Sequence, residues 1–64
     1  MISTGDLIVE PACERAPASF GVVKGFETAD NGEVLLDVQF PEERVYAFAS
    51  RCMHYRDWLA LNGF

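Results

Sequence analysis

The sequence predicts an all-β domain: a strongly curled antiparallel sheet or small barrel of four to five short strands, ending in a short C-terminal helical turn. Two observations predict it. Residues 32–40 place Val34, Leu36, Val38 and Phe40 at every second position behind an Asn31-Gly32 pair. Alternation of that period is what a half-buried strand requires, and Asn-Gly supplies the positive φ of a tight hairpin turn.

The first strand is expected over residues 6–10, where Gly5 introduces Leu7 and Val9 alternating with Asp6, Ile8 and Glu10. Pro11, Ala12, Pro17, Ala18 and Ser19 bracket the charged Cys13-Glu14-Arg15 segment, which has no sustained period and reads as a loop. Both prolines would deny a central ladder its donors. Gly21 opens the second strand, Val22 to Thr28, with Gly25 expected to mark a bulge or sharp bend. The third strand follows the Asp30-Asn31-Gly32 turn and ends at Phe40 before Pro41.

Glu42 and Glu43 occupy the next turn, and Arg44 to Ala49 resume an extended pattern, so two successive hairpins make a meander. Its fourth strand has a bulky face, Tyr46 and Phe48, and a small face, Val45, Ala47 and Ala49. The frequency of aromatics inside sheets favours Tyr46 and Phe48 closing the other side of the core. Facing outward beside Leu35, they would instead make an exposed apolar strip suited to a partner. After Ser50 the period changes: Asp57 is expected to cap a short helix over residues 58–61, with Gly63 stopping it. One turn of helix is unstable alone, so Trp58, Leu61 and Phe64 are the side chains expected to hold it on the sheet.

At 64 residues the chain makes one domain, residues 1–64, with a small core. A composition that is 50% hydrophobic argues against disorder, and no apolar run is long enough for a membrane span or a signal-peptide core, so cytoplasmic residence without membrane attachment is expected. Cys13 and Cys52 are too few for a disulfide scaffold and are expected as free thiols. The net charge is -5, which repels a phosphate backbone. It is unevenly spread: residues 1–43 hold nine carboxylates against Arg15 and Lys24, whereas the remainder holds Arg44, Arg51 and Arg56 against Asp57.

Gly5-Asp6-Leu7-Ile8-Val9 as an opening strand, the long Pro-containing loop, Phe20-Gly21-Val22-Val23, Val38-Gln39-Phe40 and the short final turn together resemble the SH3-like small barrels. That fold group includes Tudor and KOW modules and small barrel subunits attached to photosynthetic electron-transfer complexes. The resemblance implies architecture, since function is carried by sites and not by folds. KOW modules are basic binders in many members, whereas this chain is acidic. Tudor domains that read methylated side chains use an aromatic cage, for which Tyr46, Phe48, Tyr55 and Trp58 are the rings available here.

The constellations for chemistry are sparse. No glycine loop carries the lysine and helix of a phosphate site. Cys52 and His54 could share a face and lower a thiol pKa, but no third residue orients the imidazole, and adding Cys13 gives no C-x-x-C spacing for zinc. Asp37 has no second carboxylate specified opposite it. The expectation is therefore no catalytic residue, no metal and no cofactor. Arg51, His54, Tyr55, Arg56 and Trp58 combine positive charge with flat rings, the types enriched at interfaces. The competing reading makes Trp58 a core anchor and has the arginines neutralise Glu42 and Glu43.

The leading expectation is a non-catalytic protein-interaction module or small accessory subunit, docking through Arg51, His54, Tyr55, Arg56 and Trp58 with Tyr46 and Phe48, toward a protein partner or a second copy. One alternative is an acidic inhibitor that imitates nucleic acid, its carboxylates tracking a basic groove. Another is weak nucleic-acid binding through the Arg/aromatic end, with Tyr55 or Trp58 as a stacking platform, which the net charge opposes.

Overall fold

The computed structural model describes residues 2–63. Five strands follow in chain order: β1 (Leu7–Glu10), β2 (Ser19–Thr28), β3 (Val34–Gln39), β4 (Arg44–Phe48) and β5 (Met53–His54), with helix α1 (Tyr55–Leu61) after them. A 3-10 turn at Ala49–Arg51 separates β4 from β5. All pairings are antiparallel and the spatial order is β4-β3-β2-β1-β5, so the sheet is not closed and β4 and β5 are its edges. The mostly-β architecture is the expected one. The short β5, which carries no legible period, is an addition to the meander.

Each turn has a chemical cause. Gly32 adopts φ 87°, and the Asn31 side-chain oxygen accepts the Glu33 N–H at 3.0 Å, pinning the β2–β3 hairpin. Between Val23 and Gly25 the β2–β3 register shifts, the irregularity anticipated at Gly25. In the Pro-containing loop, Cys13 and Ala16 exchange backbone hydrogen bonds at 2.9 and 3.2 Å around Glu14-Arg15. Gly63 has φ 78° just beyond α1, a conformation that ends helices.

One face of the sheet holds the main core: Ile8, Val23, Leu36, Val38, Phe40 and Ala47, with Ile2, Val45, Ala49 and Cys52 packed against it. Burial of each large aliphatic side chain contributes about 1.5–3 kcal/mol. Gly21 lies beneath this layer, where a Cβ would meet Val38 and Phe40. Three of the four apolar residues expected to share a face on β3 and its end are buried, while Val34, nearest the turn, is 44% exposed.

The opposite face has its own small apolar region. Val9 pairs with Phe20 and with Met53 across the ladder, so the three share a side of the sheet, and α1 packs over β1 and β5. Ile8 and Val9 are therefore both fully buried, on opposite faces, while Leu7 is exposed. The strand expected over residues 6–10 forms over Leu7–Glu10, but its expected alternation, Leu7 and Val9 against Ile8, is corrected: a strand covered on both sides loses the alternation that marks one inner face.

The helix begins earlier than Asp57. His54 is the N-cap, its Nδ1 accepting the Arg56 N–H at 3.3 Å, and Asp57 lies in the first turn, where its negative charge suits the helix dipole. Leu61 is 75% exposed and does not hold the helix down. Trp58 does, through Phe20; Phe64 lies outside the described residues. No helix among the described residues is long and apolar enough to cross a membrane.

Candidate functional site

The residues anticipated as one Arg/aromatic group fall into two places. Tyr55 and Trp58 are half-buried on α1 and form an aromatic trio with Phe20: Phe20 meets Tyr55 edge-on at 5.8 Å and Trp58 edge-on at 5.1 Å, and the Tyr55 and Trp58 rings stack at 6.2 Å. Such geometries add to burial itself, and they fix the helix to the sheet. His54 caps that helix, with Nε2 3.6 Å from Asp6 Oδ2. Asp6 Oδ2 also accepts the Ser3 N–H at 2.8 Å, tying the N-terminal segment to the same point. Arg51 and Arg56 are exposed and make no ion pair among the described residues.

Tyr46 and Phe48 lie at the other end of the strand order, on β4. Phe48 is cross-strand from Leu35 and Tyr46 from Asp37, and they are 40% and 58% exposed. The expectation that these rings close the core is corrected. The small side of β4, Val45 and Ala47, packs against the core with Leu36, Val38 and Phe40, so the alternation of the strand turns Tyr46 and Phe48 to the other face. The two rings stand outward with Leu35 as an apolar strip.

Beside this strip Arg44 donates two hydrogen bonds to the Asp37 carboxylate, from Nε at 2.9 Å and Nη2 at 2.8 Å. The Arg44 hydrogen bonds hold the Asp37 carboxyl below its ordinary value of 3.8; desolvation opposes this, and the charges of Arg44 and Lys24 add smaller contributions in the lowering direction. Arg44 is thus engaged with Asp37, and Glu42 and Glu43 have no cationic partner among the described residues. The neutralisation of Glu42 and Glu43 by arginine is not found.

β4 also exposes its backbone. The Phe40 N–H donates to the Glu43 carbonyl at 2.8 Å, which makes that residue pair a hydrogen-bonded one. Alternation along an antiparallel ladder then assigns the β3 bonds to Val45 and Ala47. Arg44, Tyr46 and Phe48 turn their N–H and C=O groups toward the open edge.

Along that edge runs a cleft of about 400 Å³, bounded by Val45, Tyr46 and Ala47 on one side and by Glu10 and residues 17–20 on the other, with residues 40–43 closing its end. Successive residues of β4 alternate between faces, yet three in a row line the cleft, so it follows the strand's backbone edge. Phe20 joins this cleft to the aromatic trio. Phe20 and Glu10 were not singled out from sequence. The only available signal was their position flanking the Pro-containing loop. A second, uncharged groove of about 570 Å³ lies between Ile2, Phe26, Val34 and Ala49.

Cys52 and His54 do not form a nucleophilic pair. Burial pushes the Cys52 thiol above its ordinary value, with a further contribution from the negative charge of Glu10, the reverse of what thiolate chemistry needs. Both imidazole nitrogens face other groups, the Arg56 N–H and Asp6. Cys13 and Cys52 are free thiols, and no group of three His, Cys, Asp or Glu side chains among the described residues could hold a metal ion. No protein-family model matches the chain, and neither does any curated protein or solved structure.

Proposed function

We propose that the chain is a non-catalytic protein-interaction module of the cytoplasm, an SH3-like small barrel left open along β4, which docks a partner protein through that edge. The observation that carries the reading is the combination on one strand of outward rings, Tyr46 and Phe48, with unpaired backbone groups. Exposed aromatics at a strand edge supply both halves of strand-addition binding: side-chain contacts for specificity and main-chain hydrogen bonds for affinity. The strand order with β4 and β5 as separate edges fits a barrel of this kind with an unfilled seam.

The test is affinity capture with the immobilised chain, comparing it with Tyr46→Gln and with Arg56→Glu, each checked for an unchanged thermal midpoint. Loss of the captured protein with Tyr46→Gln and its retention with Arg56→Glu is the expected pattern. The opposite pattern moves the docking surface to α1, and equal capture by all three removes β4 from it.

A further inference from the structure

Resting on that reading, we propose that the cleft along β4 takes an extended peptide segment bearing lysine or arginine, which adds to the sheet as a further strand beside β4. The N–H and C=O groups of Arg44, Tyr46 and Phe48 lie on the edge of β4 not paired with β3, where Val45, Tyr46 and Ala47 line the cleft, and a sheet edge of this kind binds any chain that can lie along it. Natural edges are usually guarded by lysine, proline or an inward charge. On β4 the only charged residue is Arg44, which folds back onto Asp37, and residues 45–49 contain neither a charge nor a proline.

Charge selects the occupant. Glu10, Glu42 and Glu43 line the cleft, and none of them has an ion-pair partner among the described residues. Carboxylates converging on an unpaired edge favour a strand that brings cations and oppose one that brings further carboxylates. A second copy of this chain carries a net charge of -5 to the same place, which disfavours edge-to-edge pairing between copies. The period-two geometry of a strand gives the segment its pattern. Alternate side chains enter the cleft toward the three glutamates, and those between them lie on the outer face against Tyr46 and Phe48, where apolar residues fit.

The probe is a fluorescein-labelled peptide of alternating lysine and valine, about nine residues long, enough to span β4 and its flanks at about 3.3 Å per residue. Binding is read by fluorescence anisotropy, with a companion in which glutamate replaces lysine. The lysine peptide binds, the glutamate peptide does not, and affinity falls steeply between about 0.05 and about 0.5 M salt. The double variant Glu42→Gln/Glu43→Gln, both residues exposed, weakens binding roughly three- to tenfold at an unchanged thermal midpoint. N-methylating every second amide of the peptide abolishes binding in one phase and leaves it within about twofold in the other, because only one edge of the added strand donates to β4.

Equal affinity for the lysine and glutamate peptides overturns the charge assignment, and tolerance of both N-methylation phases overturns strand addition. Sedimentation as a dimer that Tyr46→Gln dissociates, with no peptide bound, assigns the edge to a second copy. A captured partner lost with Tyr46→Gln, while no lysine peptide binds, leaves the interaction reading standing and removes the basic segment alone.

Discussion

Gly21 is the position where the packing makes its sharpest demand. A Cβ placed there would stand 2.5 Å from Val38 Cγ1, 2.9 Å from Phe40 Cδ1 and 3.0 Å from the Gln39 carbonyl oxygen. Val38 is fully buried and stiff at χ1, and the third neighbour is backbone, so none of the three can swing aside cheaply. Gly21→Ala should therefore cost about 1–3 kcal/mol by overpacking. Total stability for a chain this size is of the order of 3–10 kcal/mol, so the loss is a large share of it.

The cause can be isolated with Val38→Ala, which removes the closest methyl. Alone it should cost about 2 kcal/mol in lost burial and cavity. In the double variant the methyl added at position 21 moves into the space vacated at position 38, so the combined loss should fall short of the sum by about 1 kcal/mol or more. Urea unfolding of the four proteins, read by Trp58 fluorescence and far-ultraviolet circular dichroism, measures this directly. Strict additivity would refute the contact, and a Gly21→Ala midpoint equal to the parent would refute the close approach of Gly21 to Val38 and Phe40.

Phe40→Ala should cost about 3–5 kcal/mol, and a urea midpoint equal to the parent would contradict its place in the core. His54→Ala removes the helix cap and should cost about 1 kcal/mol, mostly recovered by His54→Asn; equal thermal midpoints for the alanine variant and the parent would show that the cap contributes nothing. Asp37 has a lowered pKa, so the Arg44 pairing contributes fully above the ordinary carboxylate range and is lost as pH falls through the lowered value. Arg44→Gln should move the Asp37 carboxyl titration, followed by NMR, back up toward 3.8, and an unmoved titration would mean that the pair does not form in solution. Alkylation at neutral pH should modify exposed Cys13 faster than half-buried Cys52, whose thiol pKa is raised; equal rates in the folded chain would contradict that partial burial.

The meander was legible because its signals are local. Asn31-Gly32 specifies a turn through the conformations its own residues tolerate, and Leu36, Val38 and Phe40 declare one inner face by alternation. Gly25 and Gly63 likewise marked a register shift and a helix end. What depended on distant parts of the chain was hidden. Ile8 and Val9 are buried on opposite faces because β1 is central and α1 covers its outer side, a fact no window around β1 contains. β5 has two residues and so no period, and His54 as a helix cap breaks the preference for Ser, Thr, Asp or Asn.

The candidate site divides along the same line. Tyr46 and Phe48 were recognisable as one face of a strand, but which face turned outward depended on Val45 and Ala47 packing into the core formed by residues elsewhere in the chain. Tyr55 and Trp58 looked like interface rings until Phe20, far earlier in the chain, supplied their packing partner. The cleft is assembled from Glu10, residues 17–20, residues 40–43 and β4, segments that are brought together only by the curl of the sheet.

Hydrogen exchange of the β4 amides, followed by NMR on the free chain and then on the chain saturated with the lysine/valine peptide, tests the docking edge most directly. In the free chain Val45 and Ala47 should be protected by their bonds to β3, while Arg44, Tyr46 and Phe48 exchange rapidly. On saturation the amides of Tyr46 and its two outward neighbours should become protected as well. Saturated peptide with those three amides still exchanging at the free rate would contradict strand addition at β4.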